Sequence, residues 1–402
     1  MSNTQKKNVP ELRFPGFEGE YSLDIFGNLA TNKSDKFNPQ NENASIDIEL
    51  DCIEQNTGRL IKIYNSKEFS SQKNKFNPQN VLYGKLRPYL NKYYFTKKSG
   101  VCSSEIWVLK STKEDKLLNL FLYYFIQTKR YSDVASKSAG SKMPRADWGL
   151  IENIRVYFPE LCEQQKIGEF FSKLDRQIEL EEQKLELLQQ QKKCYMQKIF
   201  SQELRFKDDN GNDYPEWEEK KLGELSQIVR GASPRPIKDP KWFNKESDIG
   251  WLRISDVTDQ NGKIYHLEQK LSIEGQEKTR VLLTTHLLLS IAASIGKPVM
   301  NFVKTGVHDG FLIFLNPKFN IFFMYYWLDY FKEKWSKYGQ PGSQVNLNSE
   351  IVKSQTLNMP SNHEQEKVGL FFSRNEKLIE LQQEKIMYLK RRKQALILKM
   401  FI

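Results

Sequence analysis

The residues with most chemistry to offer in this 402-residue chain are its 4 histidines, 4 cysteines, 21 glycines and a large set of lysines and arginines. The first three groups are spaced against catalysis. Cys52, Cys102, Cys162 and Cys194 never approach a Cys-x-x-Cys interval, which argues against a zinc site or a disulfide framework and suits a reducing cytoplasm. His266, His286, His308 and His363 form no His-x-x-x-His pair and no arrangement with triad logic; His308 and Asp309 are the one suggestive couple. No two glycines stand two apart, so the Gly-x-Gly of a dinucleotide or adenosyl-cofactor loop is missing. "IGKP" from Ile295 lacks the upstream glycine and the Ser or Thr of a P-loop. "NPKF" from Asn316 approaches the Asn-Pro-Pro-Phe loop with which amino-methyltransferases hold an exocyclic amine, but without the second proline it reads better as a turn ending a strand. "PEWEEK" from Pro215 crowds its acids too tightly for a metal-dependent nuclease and reads as a solvated face behind Trp217.

What remains is cationic. Lys and Arg number 61 against 50 Asp and Glu, a formal charge of +11 that favours a polyanionic partner such as nucleic acid. Phosphate contacts need Lys and Arg on loops, and base discrimination needs Arg, Asn or Gln within bidentate reach of a groove edge. Hydrophobic residues at 39% and aromatics at 12% are enough to build cores, so disorder is not expected. The most apolar stretch, "VLLTTHLLLSIAASIG" from Val281, is short for a membrane span and reads as buried sheet, and "MSNTQKKNVPELRFPGF" carries no apolar signal region.

The elements that must position these cations are duplicated. "EQQKIGEFFSKLD" from Glu163 returns as "EQEKVGLFFSRNE" from Glu364, and laying 159–200 over 360–401 gives 16 identities in 42 positions without a gap. Upstream, "LFLYYFI" from Leu120 matches "FFMYYWL" from Phe322, Gly140-Ser141 matches Gly342-Ser343, and Gly100-Val101 matches Gly306-Val307. "LDCIEQNTGRL" from Leu50 resembles "ISDVTDQNGKI" from Ile254, and "ELRF" at Glu11 recurs at Glu203. The chain is two copies of a unit of about 200 residues, a period that governs how every local motif is read. In each copy, short apolar runs such as "VLYGKL", "EIWVLK" and "FLIFLN" between turn signals read as strands, and the aromatic segments as short helices. After Phe158 and Met359 the texture becomes helical for roughly 37 residues, a rod of roughly 55 Å at 1.5 Å per residue. "SQELRFKDDNGNDYPEW" after Phe200 reads as a polar linker.

Two globular heads, a basic surface and no catalytic motif point to recognition. "PELRFPGF" at Pro10, "GKLRPYL" at Gly84, "CSSEIWVL" at Cys102, "GSKMPR" at Gly140, "GASPRP" at Gly231 and the twice-used P-x-x-x-E-Q-x-K-[IV]-G-x-F-F resemble the specificity subunit of a Type I DNA restriction-modification system, over essentially the whole chain and in the family's order. The resemblance implies an α+β architecture: two α/β target-recognition domains in tandem, each followed by a long helix, the helices pairing as an antiparallel coiled coil. The corresponding boundaries are 1–158, 159–201, 202–359 with a linker at 202–216, and 360–402. It further implies that each head reads half of an asymmetric bipartite double-stranded DNA site, while the helices space the heads and dock two methyltransferase subunits. No cofactor is expected in this chain; S-adenosylmethionine would sit in the methyltransferase subunits, and cleavage in restriction subunits of the full, cytoplasmic complex.

Within that frame the expected DNA contacts lie in turn-rich phrases: Lys85, Arg87, Lys142 and Arg145 in the first head, and Arg230, Arg235, Lys238, Lys297, Gln344 and Asn346 in the second. The helices share 16 of 42 positions whereas the heads align only in islands, so the half-sites should differ. The 3,4-spaced seam predicts a register as well. Matching Glu181 to Lys393 and Lys192 to Gln382 sets Leu174 by Met400, Ile178 by Leu396, Leu185 by Leu389 and Leu188 by Ile386. Sliding by one heptad would set Glu181 against Ile386 and bury unpaired polar groups at about 1 to 3 kcal/mol each. Leu180, Leu187, Leu381 and Tyr388 fall outside the seam. The rival readings are a self-contained adenine methyltransferase, which needs the cofactor loop that the glycine spacing denies, a nuclease with an unfamiliar active site, and a coiled-coil scaffold, for which the heads are too large and too basic.

Overall fold

The structure, a computed structural model, describes residues 8–43, 45–137, 142–292, 295–338 and 347–402. Two compact units emerge, one formed by Met1–Gln183 with Glu384–Ile402 and the other by Lys184–Gln383. The division falls inside both long helices, Leu161–Phe200 and Asn362–Met400, so each unit joins one head to a segment of each helix.

In the first unit a four-stranded antiparallel sheet runs in the order Ala30–Thr31, Ile106–Ser111, Val81–Gly84, Tyr93–Phe95. A five-stranded mixed sheet holds Ile46–Ile48 parallel to Gly100–Cys102. The second unit has a five-stranded sheet ordered Gln227–Arg230, Phe311–Leu315, Leu287–Ser290, Pro298–Asn301, Lys263–Ile264, and a three-stranded sheet centred on Thr305–Val307. Leu287–Ser290 is buried at every position, as its unbroken apolar run requires of a strand covered on both faces. Asn316 takes a positive φ of 47° directly after Phe311–Leu315, the strand-ending turn expected of "NPKF". The aromatic helices Asn119–Phe125 and Ile321–Phe331 press Phe121, Tyr124, Phe323 and Tyr326 into the two main cores. Each head is closed by an antiparallel ribbon just before its long helix, Ser22–Ile25 with Arg155–Phe158 and Glu218–Lys221 with Thr356–Met359.

The repeated helix-opening phrase is a head-to-helix brace. Glu163, 1% exposed, accepts from Arg13 Nε at 2.8 Å, Arg13 Nη2 at 2.7 Å and the Tyr21 hydroxyl at 3.2 Å. Glu364 repeats this with Arg205 Nη2 at 2.9 Å and Trp217 Nε1 at 3.0 Å. The cations belong to the two "ELRF" phrases, so the stretch read as a linker is the second copy of an N-terminal strap, and its Phe206 packs edge-on against Phe371 at 5.5 Å. The adjacent Gln164 accepts from Leu118 N at 3.0 Å and donates to the Pro159 carbonyl at 2.8 Å; Gln365 accepts from Asn320 N at 2.8 Å and donates to Pro360 O at 2.9 Å. Gly168 tolerates its helical position because a Cβ there would lie 2.7 Å from Leu120 Cδ2, so glycine lets the aromatic helix approach. Phe171 and, at the matching position of the second long helix, Phe372 are fully buried.

Within each unit the helical segments run antiparallel, but the register differs from the one the seam predicts. Glu181 pairs with Lys385 at 2.5 Å rather than with Lys393, about two turns away, and Lys393 pairs with Asp175 at 2.7 Å. Lys192 meets Glu376 at 2.6 Å rather than Gln382. The slip is close to the one-heptad alternative, which on seam positions alone would strand polar groups. It strands none of these three charges, because their partners come from beside the seam and from the head: Lys393 also donates to Gln127 Oε1 at 2.9 Å and lies 5.5 Å from the Tyr124 ring. Leu174, Ile178, Ile386, Leu389 and Met400 are buried, as are Gln382 and Lys393, while Leu185, Leu188 and Leu396 are half-buried.

Candidate nucleic-acid interface

In the first unit the antiparallel pairing of Ile106 with Gly84 puts the end of one strand and the start of the next at the same rim of the sheet. Three segments meet there. Lys85 N donates to Glu105 O at 3.0 Å, Ala146 N to Lys85 O at 2.8 Å, and Arg87 N to Pro144 O at 2.7 Å. Lys85, Arg87 and Arg145 are therefore brought together, and Lys142 lies exposed three residues before Arg145. Arg87 sits in the left-handed region at φ 53°, capping the turn Pro88–Leu90, with its side chain exposed. Arg145 forms a two-pronged pair with Glu105 at 2.9 and 3.1 Å. That hydrogen bonding, ahead of the opposing effect of burial, holds the Glu105 carboxyl below its usual range.

The second unit builds a denser cluster at the matching rim. Gln227–Arg230 pairs with Phe311–Leu315, and Gly231 N continues the ladder to Phe311 O at 2.9 Å. A Cβ on Gly231 would sit 2.1 Å from His308 O, so only glycine lets "GASPRP" leave the sheet here. Asp309 organises the loop. Its Oδ1 accepts from Ser233 Oγ at 2.7 Å, its Oδ2 from Arg235 Nη2 at 2.8 Å, and its carbonyl from Arg230 Nε at 2.6 Å. The Ser233 hydrogen bond, helped by the charges of Arg235 and Arg230, outweighs burial and holds this carboxyl below the usual value. His308 accepts from Gly310 N through Nδ1 at 2.7 Å, and burial pushes its pKa down, keeping the ring neutral. His308 and Asp309 thus shape a loop and do not form a catalytic couple.

Arg280, which sequence reasoning passed over, completes the group by donating from Nε to Arg230 O at 2.7 Å with its side chain exposed. Its only signal was the onset of the strand Arg280–Leu282, whose pairing of Arg280 with Val307 becomes visible only in the sheet. Lys238 is exposed three residues after Arg235. Lys297 is not gathered with them: its amine turns inward to the Val257 carbonyl at 3.3 Å, and burial pulls its pKa down. Gln344 and Asn346 lie outside the described residues.

Both units thus end their main sheet in a cationic, Arg-rich rim held by a carboxylate, and these are the side-chain types that contact nucleic-acid backbones and base edges. Residues 20–190 and 214–391 each match the Type I restriction modification DNA specificity domain. The chain belongs to that family. Among similar proteins, the Type I restriction enzyme MjaVIII specificity subunit of Methanocaldococcus jannaschii is 26% identical over 310 residues, 72% of this chain and 71% of that one. The EcoDI specificity subunit of Escherichia coli is 25% identical over 169 residues, 40% of this chain and 37% of that one. The fold matches a chain from a structure on complex assembly and conformational transition of the type I R-M system at a TM-score of 0.60, with 17% identity and coverage of 94% of this chain and 96% of that one. It also matches the Type-I restriction-modification system S subunit from M. genitalium at 0.57, with 14% identity and coverage of 98% and 99%. As a Type I specificity subunit, the protein is a DNA-recognition component and not itself an enzyme. Among the described residues no helix is long and apolar enough to cross a membrane.

Proposed function

We propose that each unit of this specificity subunit reads one half of an asymmetric, bipartite duplex site, and that the long helices space the heads and dock two methyltransferase subunits. The observation that carries the reading is the pair of equivalent rims with different side chains: Lys85, Arg87 and Arg145 around Glu105 in one, Arg230, Arg235 and Arg280 around Asp309 in the other. Equivalent placement suits a shared mode of docking on DNA, as half-site readers use, and different side chains suit different bases. The exposure of Leu180, Leu187, Leu381 and Tyr388, between 48% and 64%, supports protein partners on the helices. S-adenosylmethionine belongs to those methyltransferase subunits, cleavage to restriction subunits, and the assembly works in the cytoplasm.

Co-expression with a candidate methyltransferase, followed by mapping of methylated adenines in host DNA, tests this directly. A split motif is expected, and exchange of residues 1–158 for another family member's head should change one half only. A continuous motif, or simultaneous change of both halves, would overturn it.

A further inference from the structure

Gly58 and Gly262 occupy matching places in the two "NTGR" and "QNGK" turns, and both take positive φ, 71° and 82°. Each glycine backs onto the aromatic helix of its own unit: an added Cβ would lie 2.0 Å from the Tyr123 hydroxyl at Gly58, and 2.7 Å from Pro298 O and 3.2 Å from the Tyr325 hydroxyl at Gly262. The next residue in each turn is a cation that reaches the long helices, Arg59 to Glu182 and Lys263 to Glu376. Each of these carboxylates is also held by a lysine from the other long helix, Glu182 by Lys390 at 2.6 Å and Glu376 by Lys192 at 2.6 Å.

The same three-part bridge is therefore built twice, head cation to helix carboxylate to partner-helix lysine. The repeat alone does not account for it. Glu376 corresponds in the repeat to Asp175 and not to Glu182, so the two bridges use non-equivalent acids. In the first unit Asp175 keeps its own lysine, Lys393, and this pair and the turn residues Gly58 and Arg59 line one cavity of about 780 Å³. Lys263 and Glu376 are 15% and 13% exposed against 31% and 21% for Arg59 and Glu182, so the second bridge is the better shielded. Burial pushes Glu376 up, yet Lys192 and Lys263 together outweigh it and hold the carboxyl below its usual value.

We infer that Arg59 and Lys263 are positioning residues that fix the angle of each head on its own helix segments, and so set how many base pairs may separate the two half-sites, without touching a base. The inference rests on the bipartite reading above. Neither cation is spare: Arg59 also meets Glu54 at 3.0 Å, and Lys263 lies beside the Tyr326 hydroxyl at 3.4 Å.

The test uses the full chain assembled with its methyltransferase and compares Lys263→Met with Lys263→Arg by methylated-adenine mapping on DNA libraries of varied spacer length. In Lys263→Met both half-site sequences should be retained while discrimination against spacers one base pair longer or shorter falls by about tenfold. Lys263→Arg should restore it. Arg59→Met should act in the same direction and more weakly, and carries the test if Lys263→Met does not assemble. Unchanged spacer discrimination in both Met variants would overturn the inference, and so would an altered half-site, which would make the cation a base reader. A wild-type complex without a split motif would instead count against the bipartite reading itself.

Discussion

Replacing Arg13 by methionine should destabilise the first unit by stranding a carboxylate. Glu163 is 1% exposed and receives three hydrogen bonds, two of them from Arg13 and the third, at 3.2 Å, from Tyr21. Removing one partner of a buried pair costs about 3 to 5 kcal/mol because the remaining charge cannot regain water. Arg13 is itself 15% exposed, so water can enter the vacated place, and the lower end, about 3 kcal/mol, is expected. In a unit of this size 1 kcal/mol moves the midpoint by about 2 to 4 °C, giving a fall of about 6 to 12 °C. The double variant Arg13→Met with Glu163→Leu removes both charges and should recover at least half of the loss, since apolar replacement of a whole buried pair is often neutral. Hydrogen exchange followed by mass spectrometry separates the units: peptides from 161–183 should lose protection while those from 362–383 keep theirs. A single variant within about 0.5 kcal/mol of the parent, or a double variant as unstable as the single, would refute the stranded-charge argument.

His308 is neutral in the fold because burial lowers its pKa below 6.5, so the unfolded chain takes up the proton first; the stability it contributes is full above about pH 6.5 and is lost as the pH falls through the lower folded value. Intrinsic-rate-corrected exchange across 305–315 should therefore rise from pH 7.5 to 5.5 in the parent and stay flat in His308→Gln. Gly231→Ala forces a methyl group against the His308 and Val307 carbonyls and should cost the second half-site at least about tenfold in affinity, with the first half-site unchanged in the same binding assay. Affinity of the assembled complex for its site should fall steeply with salt, and removing one exposed rim cation such as Arg280 should lower the log–log slope by about 0.9; a flat salt titration would contradict the proposed role of the cationic rims.

The duplication was legible because helix periodicity and its bracing partners are local in sequence: Glu163, Gln164, Gly168 and Phe171 recur at one offset in the helices Leu161–Phe200 and Asn362–Met400. The register was not legible, because seam spacing pairs charges only across the seam. Asp175 and Lys385 satisfy Lys393 and Glu181 from beside it, and Gln127 does so from the head, a contact 266 residues apart that no spacing rule supplies. The rims were half legible. Turn chemistry around Gly231 and Pro144 located Arg230, Arg235 and Arg145, but whether a lysine points out or in depends on what lies beneath it. Lys297 follows a glycine at φ 77° that seats against Trp335, and its amine goes to a carbonyl. Arg280 enters the cluster only through strand order.

The composition of the first unit has a consequence for biosynthesis. Its core includes Leu389, Ile397, Met400 and Phe401, with the Phe401 ring tilted against Phe121 at 4.9 Å, and Leu12 N donates to Lys399 O at 2.9 Å. The head that leaves the ribosome first thus lacks part of its own interior until residues 389–401 have emerged, whereas the second unit, a continuous segment, is complete once residue 383 has emerged. During translation the nascent first head must wait with an apolar face uncovered, and the order in which the two halves become native is the reverse of the order in which they are made.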